Sequence, residues 1–152
     1  MIDTIQTVES RDLDELRMLT ERVIVADTVT GDLALQMELI HNVHQNLDWW
    51  LANREHCCHL KYTRDGQTVA VVLVKNFWNL CSLFVVPELH RQGIGRALIL
   101  AAIQQCRALT DRSAIRLNSA PNAVAFYESI GFYPEVCTRT LPPGFKAMAL
   151  QL

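Results

Sequence analysis

The sequence predicts an α/β (α+β) domain built on one mixed central sheet of about six to seven strands with helices on both faces, and three features predict it. Residues 69–74, VAVVLV, are an unbroken apolar run, the pattern of a strand covered on both faces. Arg64-Asp65-Gly66 separates that run from a second β-rich one, and Asp-Gly between two such runs signals a hairpin. Residues 83–107, LFVVPELHRQGIGRALILAAIQQCR, then read as strand, turn and helix. That helix leads by a crossover to the next strand, 113–118, which makes it parallel to the strand before.

Taken in order, residues 3–8 alternate in the strand sense. Ser10 is placed as an N-cap, with Asp12, Asp14 and Glu15 in a first turn that favours negative charge. Leu13, Leu16, Leu19 and Val23 trace the apolar stripe of a helix ending near Asp27. A turn follows over 28–32, at Gly31. The second helix, 33–53, carries Leu33, Met37, Ile40, His44, Leu47 and Leu51 on one expected face, with His41, Glu38, Gln45 and Asp48 on the other. His44 on that apolar stripe has two readings, a hydrogen-bonded core histidine or a substrate and proton-relay group. Trp49 and Trp50 cannot both face one core, so one of them is expected to shape a pocket or an interface.

Strands are expected at 57–63, 67–75 and 78–86. The helix beyond the turn packs Gly95, Ile99, Ala102, Ile103 and Cys106 on one face. Pro121 starts a short helix that ends at Gly131, suited to a left-handed terminating position. Residues 133–140 and 145–152 read as a closing hairpin around Pro142-Pro143-Gly144.

Composition narrows the classes. A chain of 152 residues, 50% hydrophobic, fits a single domain, 1–152, with one sizeable core. A formal net charge of -2 offers no broad cationic face, so neither nucleic acid nor a membrane surface is an expected partner. The N-terminal stretch lacks the basic start and apolar segment of a secretory signal, and no apolar run reaches membrane-spanning length, so a cytoplasmic protein is expected. Five cysteines without framework spacing fit reduced thiols. On a strand, His56-Cys57-Cys58-His59 would alternate faces, and no Cys-x-x-Cys elsewhere completes a ligand set, so no metal site is expected.

The chemistry is carried by the turn His90-Arg91-Gln92-Gly93-Ile94-Gly95-Arg96. The first amides of a helix lack partners within it, and their dipole favours an anion there. Gly93 and Gly95 allow close approach to the main chain, and Arg91 and Arg96 add flanking cationic donors, a combination suited to a pyrophosphate. No third glycine arrives to make a dinucleotide fingerprint, and no Gly-Lys-Ser/Thr makes a P-loop. Pro87 cannot donate to a ladder, so the strand edge is expected to open near it.

Val85-x-Pro87-x-x-His90-x-x-Gly93-x-Gly95 resembles the acetyl-CoA signature of the GNAT superfamily of N-acetyltransferases, and the segment from Ala123 through Phe126-Tyr127 to Gly131-Phe132 is similar to the family's second motif. The resemblance implies a GNAT-like sheet, acetyl-CoA (coenzyme A) as the acyl donor, and an amine acceptor that is a small molecule or a peptide. It places the diphosphate on the amides of Arg91, Gln92, Gly93, Ile94, Gly95 and Arg96, and the pantetheine arm along Leu83, Phe84 and Val85. Asn118 and Asn122 flank the opposite side. Tyr127 becomes the general acid for the departing thiolate, and an N–H of Val85 or Val86 the donor to the thioester oxygen. Homodimerisation, common in the family, is compatible with the second helix or the last strands.

The chain departs from that pattern at His90, in place of Gln or Arg, and at Ala120, where an Asn is frequent. No acidic residue stands on 78–86 or 113–118, which leaves a water chain, His44 or Glu38 to take the amine's proton. A non-catalytic acyl-CoA-binding sensor is the alternative reading, and a nucleotide-binding domain of another fold the third.

Overall fold

The structure is a computed structural model that describes residues 1–28 and 31–152. Its elements run β1 (Asp3–Thr7), α1 (Leu13–Asp27), α2 (Leu33–Ala52), β2 (Cys57–Arg64), β3 (Gln67–Lys75), β4 (Asn79–Val85), α3 (Ile94–Leu109), β5 (Ala114–Ser119), α4 (Val124–Ile130), β6 (Tyr133–Pro134) and β7 (Lys146–Gln151). They form one seven-stranded mixed sheet in the order β1-β2-β3-β4-β5-β7-β6, with β4 and β5 parallel and the other neighbours antiparallel. This is the expected α/β architecture. Of the turn expected over 28–32, residues 29 and 30 lie outside the described residues.

Asp65-Gly66 makes the anticipated hairpin, both residues at positive φ. The β3–β4 connection is of the same kind, with Asn76 at φ 52 and Phe77 at φ 62, but no glycine marks it in the sequence. β3 is buried from Thr68 to Val74, as its apolar run implies. Register divides the side chains between two layers. Cys58, Leu60, Val72, Val74, Leu83 and Val85 share the face covered by α3, where Cys58 Sγ lies 4.0 Å from the carbonyl oxygen of Ala102. His59, Lys61, Val71, Leu73, Ser82 and Phe84 share the face covered by α1 and α2, where Lys61 pairs with Asp12 at 3.0 Å.

Several expectations are corrected. The cap before α1 is a box formed by Glu9 and Asp12 rather than by Ser10, because the Asp12 carboxylate reaches back to the Glu9 N–H at 2.8 Å. The buried stripe of α2 is Val43, Leu47 and Trp50, with Ile40 half-buried, and Leu33, Met37 and Leu51 are exposed. The helix is rotated so that Trp50 enters the core at 2% exposure, which swings Leu51 outward. Trp49 is half-buried, and its ring carries the Lys75 ammonium 5.0 Å from the centroid. The strand expected over 133–140 shortens to Tyr133–Pro134, and Pro142-Pro143 lie within an irregular connection to β7.

All five cysteines are unpaired, and among the described residues no cluster of three His, Cys, Asp or Glu could hold a metal ion. Also among the described residues, no helix is long and apolar enough to cross a membrane.

Candidate active site

A gap opens in the sheet where β4 leaves β5. β4 pairs with β3 from Asn79 to Val85 but with β5 only at Asn79↔Arg116. There the Arg116 N–H donates to the Trp78 carbonyl at 2.8 Å. One residue further the β3–β4 register slips, so that Leu80 and Ser82 find partners and Cys81 between them does not. An extra residue of this kind bends its strand and raises the local twist. β5, held by β7 at every position from Ala114 to Ser119, does not follow the bend. The two parallel strands therefore part at their C-terminal ends, where open α/β sheets place their ligands.

Hydrogen-bond alternation says which backbone groups face that gap. The Val86 N–H donates to the Val69 carbonyl at 2.9 Å, so the groups of Val86 and, two residues back, of Phe84 turn toward β3. Those of Leu83 and Val85 turn the other way, into the gap. Of the two donors proposed for a thioester oxygen, Val86 is thus committed elsewhere and Val85 is left, with Leu83 beside it. Phe84 directs its side chain to the α1–α2 layer. Across the gap, the backbone groups of Asn118 face β4 by the same alternation on β5, and its side chain is exposed. Asn122 is exposed in the 3-10 turn Pro121–Ala123 that follows β5.

The turn over 90–96 is built as its residue types require. After β4 a 3-10 turn, Pro87–Leu89, brings His90 back so that its Nε2 sits 2.8 Å from the Val85 carbonyl oxygen. Arg91 at φ 63 and Gly93 at φ 80 are both left-handed, which turns successive amides toward one concave side. α3 starts at Ile94 with no side chain capping it. Its first internal bond runs from the Ala97 N–H to the Gly93 carbonyl at 3.0 Å, which leaves the amides of Ile94, Gly95 and Arg96 without helical partners.

Arg91, Gln92 and Arg96 are exposed, whereas the Ile94 side chain is in the core at 2% exposure and contributes only its amide. The two glycines differ in what they do. A Cβ at Gly93 would meet nothing within 4 Å, so conformation alone demands glycine there. A Cβ at Gly95 would lie 3.4 Å from Val85 Cγ2 and 3.6 Å from Phe126 Cζ, ordinary contact distances, so α3, β4 and α4 come together at this residue with room for a methyl group but not for a larger side chain.

Tyr127 follows Phe126 on α4. It is 7% exposed, with ring centroids 5.2 Å from Phe126 and 5.5 Å from Phe132 in edge-to-face contacts. Burial pushes the phenol above its ordinary range, with no charge or hydrogen-bond partner contributing. It is a group held protonated.

On the other face, the Arg22 guanidinium meets both Glu88 oxygens at 2.6 Å and ties α1 to the turn after β4. His44 is half-buried with Nε2 2.9 Å from Glu21 on α1, and Glu38 is exposed on α2. Arg64 was not marked by any motif, yet it reaches Gln92 within the phosphate turn at 3.2 Å. The bulge at Cys81 likewise had no sequence signal.

The family model for the acetyltransferase (GNAT) domain matches residues 33–139, well over half of the chain. The chain belongs to the GNAT acetyltransferases. Among solved structures, this GNAT chain resembles the PaiA N-acetyltransferase of Thermoplasma acidophilum in complex with coenzyme A, at 16% identity, full coverage of both chains and a TM-score of 0.77. It also resembles the ribosomal-protein-S18-alanine N-acetyltransferase of Escherichia coli, at 22% identity, 99% coverage of this chain, 94% of that chain and a TM-score of 0.71. A third likeness is to yncA, a putative acetyltransferase from Salmonella typhimurium with its cofactor acetyl-CoA, at 15% identity, 99% and 94% coverage and a TM-score of 0.73. Identities this low establish the shared GNAT fold alone. No curated protein matches the chain.

Proposed function

We propose that this GNAT protein transfers an acetyl group from acetyl-CoA to a primary amine of a small molecule or peptide, by direct attack of the amine on the thioester. The observation that carries the reading is the sheet opening itself, where uncapped amides between two arginines follow directly on a strand edge whose Leu83 and Val85 N–H groups face away from β3; the buried phenol of Tyr127 supports it. The open space in front of Gly93 and the unpartnered amides of Ile94, Gly95 and Arg96 fit a diphosphate, and the edge at Leu83 and the Val85 N–H, beside a Val85 carbonyl that faces His90, fits an extended amide-bearing arm. When bound, the coenzyme supplies an acyl group already activated as a thioester.

The chain's own residues do the rest. The 91–96 amides and the Arg91 and Arg96 guanidiniums hold the anionic end. Leu83 and Val85 align the arm, with Asn118 and Asn122 along the other wall, and the Val85 N–H is available to polarise a carbonyl oxygen. Tyr127 holds a proton for the leaving sulfur, since burial keeps its hydroxyl neutral at working pH. Fixing an amine beside the thioester lowers the barrier further through proximity.

The GNAT resemblance implies that the first two helices and their loop wall the acceptor site, so their charge bears on which amine is taken. From Val23 to Asn53 the sequence contains no lysine or arginine but carries Asp27, Asp32, Glu38 and Asp48. This one-sided charge favours a cationic amine through steering. The unpaired thiols fit a reducing, cytoplasmic setting.

A thiol-release assay with acetyl-CoA over a panel of amines tests the reading. Release that depends on an amine, and is faster for polyamines and peptide N-termini than for anionic amines, is the expected result. Coenzyme binding without release for any acceptor would establish the sensor reading instead, and tighter binding of ADP-ribose than of coenzyme A would point to a nucleotide-binding domain.

A further inference from the structure

β1 is a poor contributor to the core. Every residue from Asp3 to Thr7 is exposed, and the strand pairs on one side only. Its first residue nevertheless ends one arm of a connected polar cluster. The Asp3 carboxylate accepts from Arg64 Nε at 3.0 Å and Arg64 Nη2 at 2.9 Å in a two-pronged pair, and from the Tyr62 hydroxyl at 2.6 Å. The remaining nitrogen of the same guanidinium, Nη1, donates to Gln92 Oε1 at 3.2 Å. The chain start is itself tied down: the Ile2 N–H donates to Asp65 Oδ1 and the Asp65 N–H to the Ile2 carbonyl, each at 2.8 Å.

Gln92 stands between two left-handed residues, Arg91 at φ 63 and Gly93 at φ 80. A non-glycine residue in that region costs about 1–2 kcal/mol, and such a conformation persists only where its surroundings over-determine it. Among the described residues, the side chain that reaches into 91–93 is that of Arg64, through its guanidinium fork. A fork bonded to a carboxylate through two nitrogens has its third aimed in a fixed direction. Asp3 stays ionised because Arg64 and Tyr62 hold its pKa down at about 2, so the fork is locked across the working range.

We propose that Asp3 and Arg64 are positioning residues for the diphosphate seat: through Gln92 they hold the 91–93 turn in the shape that points its amides outward. The first strand, remote in sequence from both family motifs, thereby sets the affinity for the anionic end of the coenzyme. Because the charge of Arg64 is answered by Asp3, its contribution is through the turn rather than as a further free cation. The inference rests on the coenzyme reading above.

The test compares acetyl-CoA with S-acetyl-pantetheine, which carries the same thioester and arm but no diphosphate. For Arg64→Ala and Asp3→Asn, KM for acetyl-CoA rises about 5–30-fold, the factor that corresponds to releasing 1–2 kcal/mol of held strain. kcat at saturation stays within about twofold, and kcat/KM for S-acetyl-pantetheine is unchanged. Arg64→Lys does not restore the parent KM, since an ammonium loses the planar two-pronged pair with Asp3 that fixes the direction of the third donor toward Gln92. Combining Arg64→Ala with Gln92→Ala is no worse than either alone, because both cut one chain of contacts. An unchanged KM for acetyl-CoA in both single variants overturns the proposal, as does an equal loss with S-acetyl-pantetheine, which would mean general damage. Gln92→Ala, at an exposed side chain, keeps the test valid if the Arg64 variant folds poorly. Failure of the parent to bind coenzyme A, seen by calorimetry, would instead remove the coenzyme reading and the proposal with it.

Discussion

Replacing Tyr127 by Phe separates the two roles its position allows. The ring stays between Phe126 and Phe132 at centroid distances of 5.2 and 5.5 Å, so the packing is kept. Burial is the cause acting on the hydroxyl, with no hydrogen-bond partner contributing, so removing it forfeits no protein contact. The stability change should therefore lie within about 1 kcal/mol, which for a chain of this size moves Tm by about 2–4 °C. The catalytic cost is of a different order. General acid catalysis supplies roughly 100- to 10,000-fold, so kcat should fall by at least about 100-fold, or about 2.7 kcal/mol of barrier.

Thiol release at saturating acetyl-CoA and amine measures kcat, and a thermal melt on the same preparation measures folding. KM for acetyl-CoA should hardly move. The raised phenol pKa sets the pH behaviour: the group is protonated throughout neutrality, so it imposes no falling limb on kcat below about pH 10. Its contribution to stability is whole below pH 10 and declines above, as the unfolded chain begins to ionise there first. A Tyr127→Phe protein with kcat within threefold of the parent would show that the phenol only packs, and the proton would have to come from elsewhere.

Other perturbations follow from named contacts. Gly93→Ala forces a Cβ onto a residue at φ 80 and should cost about 1–2 kcal/mol in urea unfolding while weakening coenzyme binding. Gly95→Ala, whose Cβ would stand in ordinary contact at 3.4 Å, should be tolerated, and Gly95→Leu should separate α3 from Phe126 and abolish binding in calorimetry. Trp50→Ala empties a site at 2% exposure and should destabilise by about 3–5 kcal/mol. His59, buried against Trp50 with Nδ1 unpartnered, has its pKa pushed down by desolvation to about 3. The folded state resists a proton that the unfolded state takes up below about 6.5, so stability falls as pH drops from about 6.5 toward 3, and melts of a His59→Leu variant should lose that slope.

Periodicity carried most of the architecture because most elements bury a face their own pattern declares. The 69–74 run, the Asp65-Gly66 turn and the α3 stripe all needed only local information. α2 needed more. Its sequence offers apolar residues on nearly every side, and which of them turn inward was decided by where Trp50 fits against His59, a contact between a helix and a strand. The closing strand stops at Pro134 although its alternation continues: the Glu135 N–H still donates to the Ala147 carbonyl at 2.8 Å, and beyond it the chain turns irregular through Pro142-Pro143. At the site, glycines and arginines marked the 91–96 turn in the sequence, but the strand edge beside it depends on a one-residue slip at Cys81 and a hairpin closed by Asn76-Phe77. Neither has the glycine by which such features are read.

The same slip explains why the cleft and the seat arise together. A parallel pair on a continuous sheet would have consumed the groups of Leu83 and Val85 in a ladder with Asn118, and the crossover helix would have met a closed edge. With the extra residue at Cys81, β4 bends toward β3 and leaves β5 with its antiparallel partner β7. The strand then delivers its edge at Leu83 and the Val85 N–H and, within a few residues, the uncapped start of α3 into the same opening, with Phe126 packed beside Gly95. Restoring regular pairing by deleting Cys81 should therefore close the opening: coenzyme binding is lost in calorimetry although the sheet gains ladder bonds, and retained binding would show that the bulge is not what parts the strands.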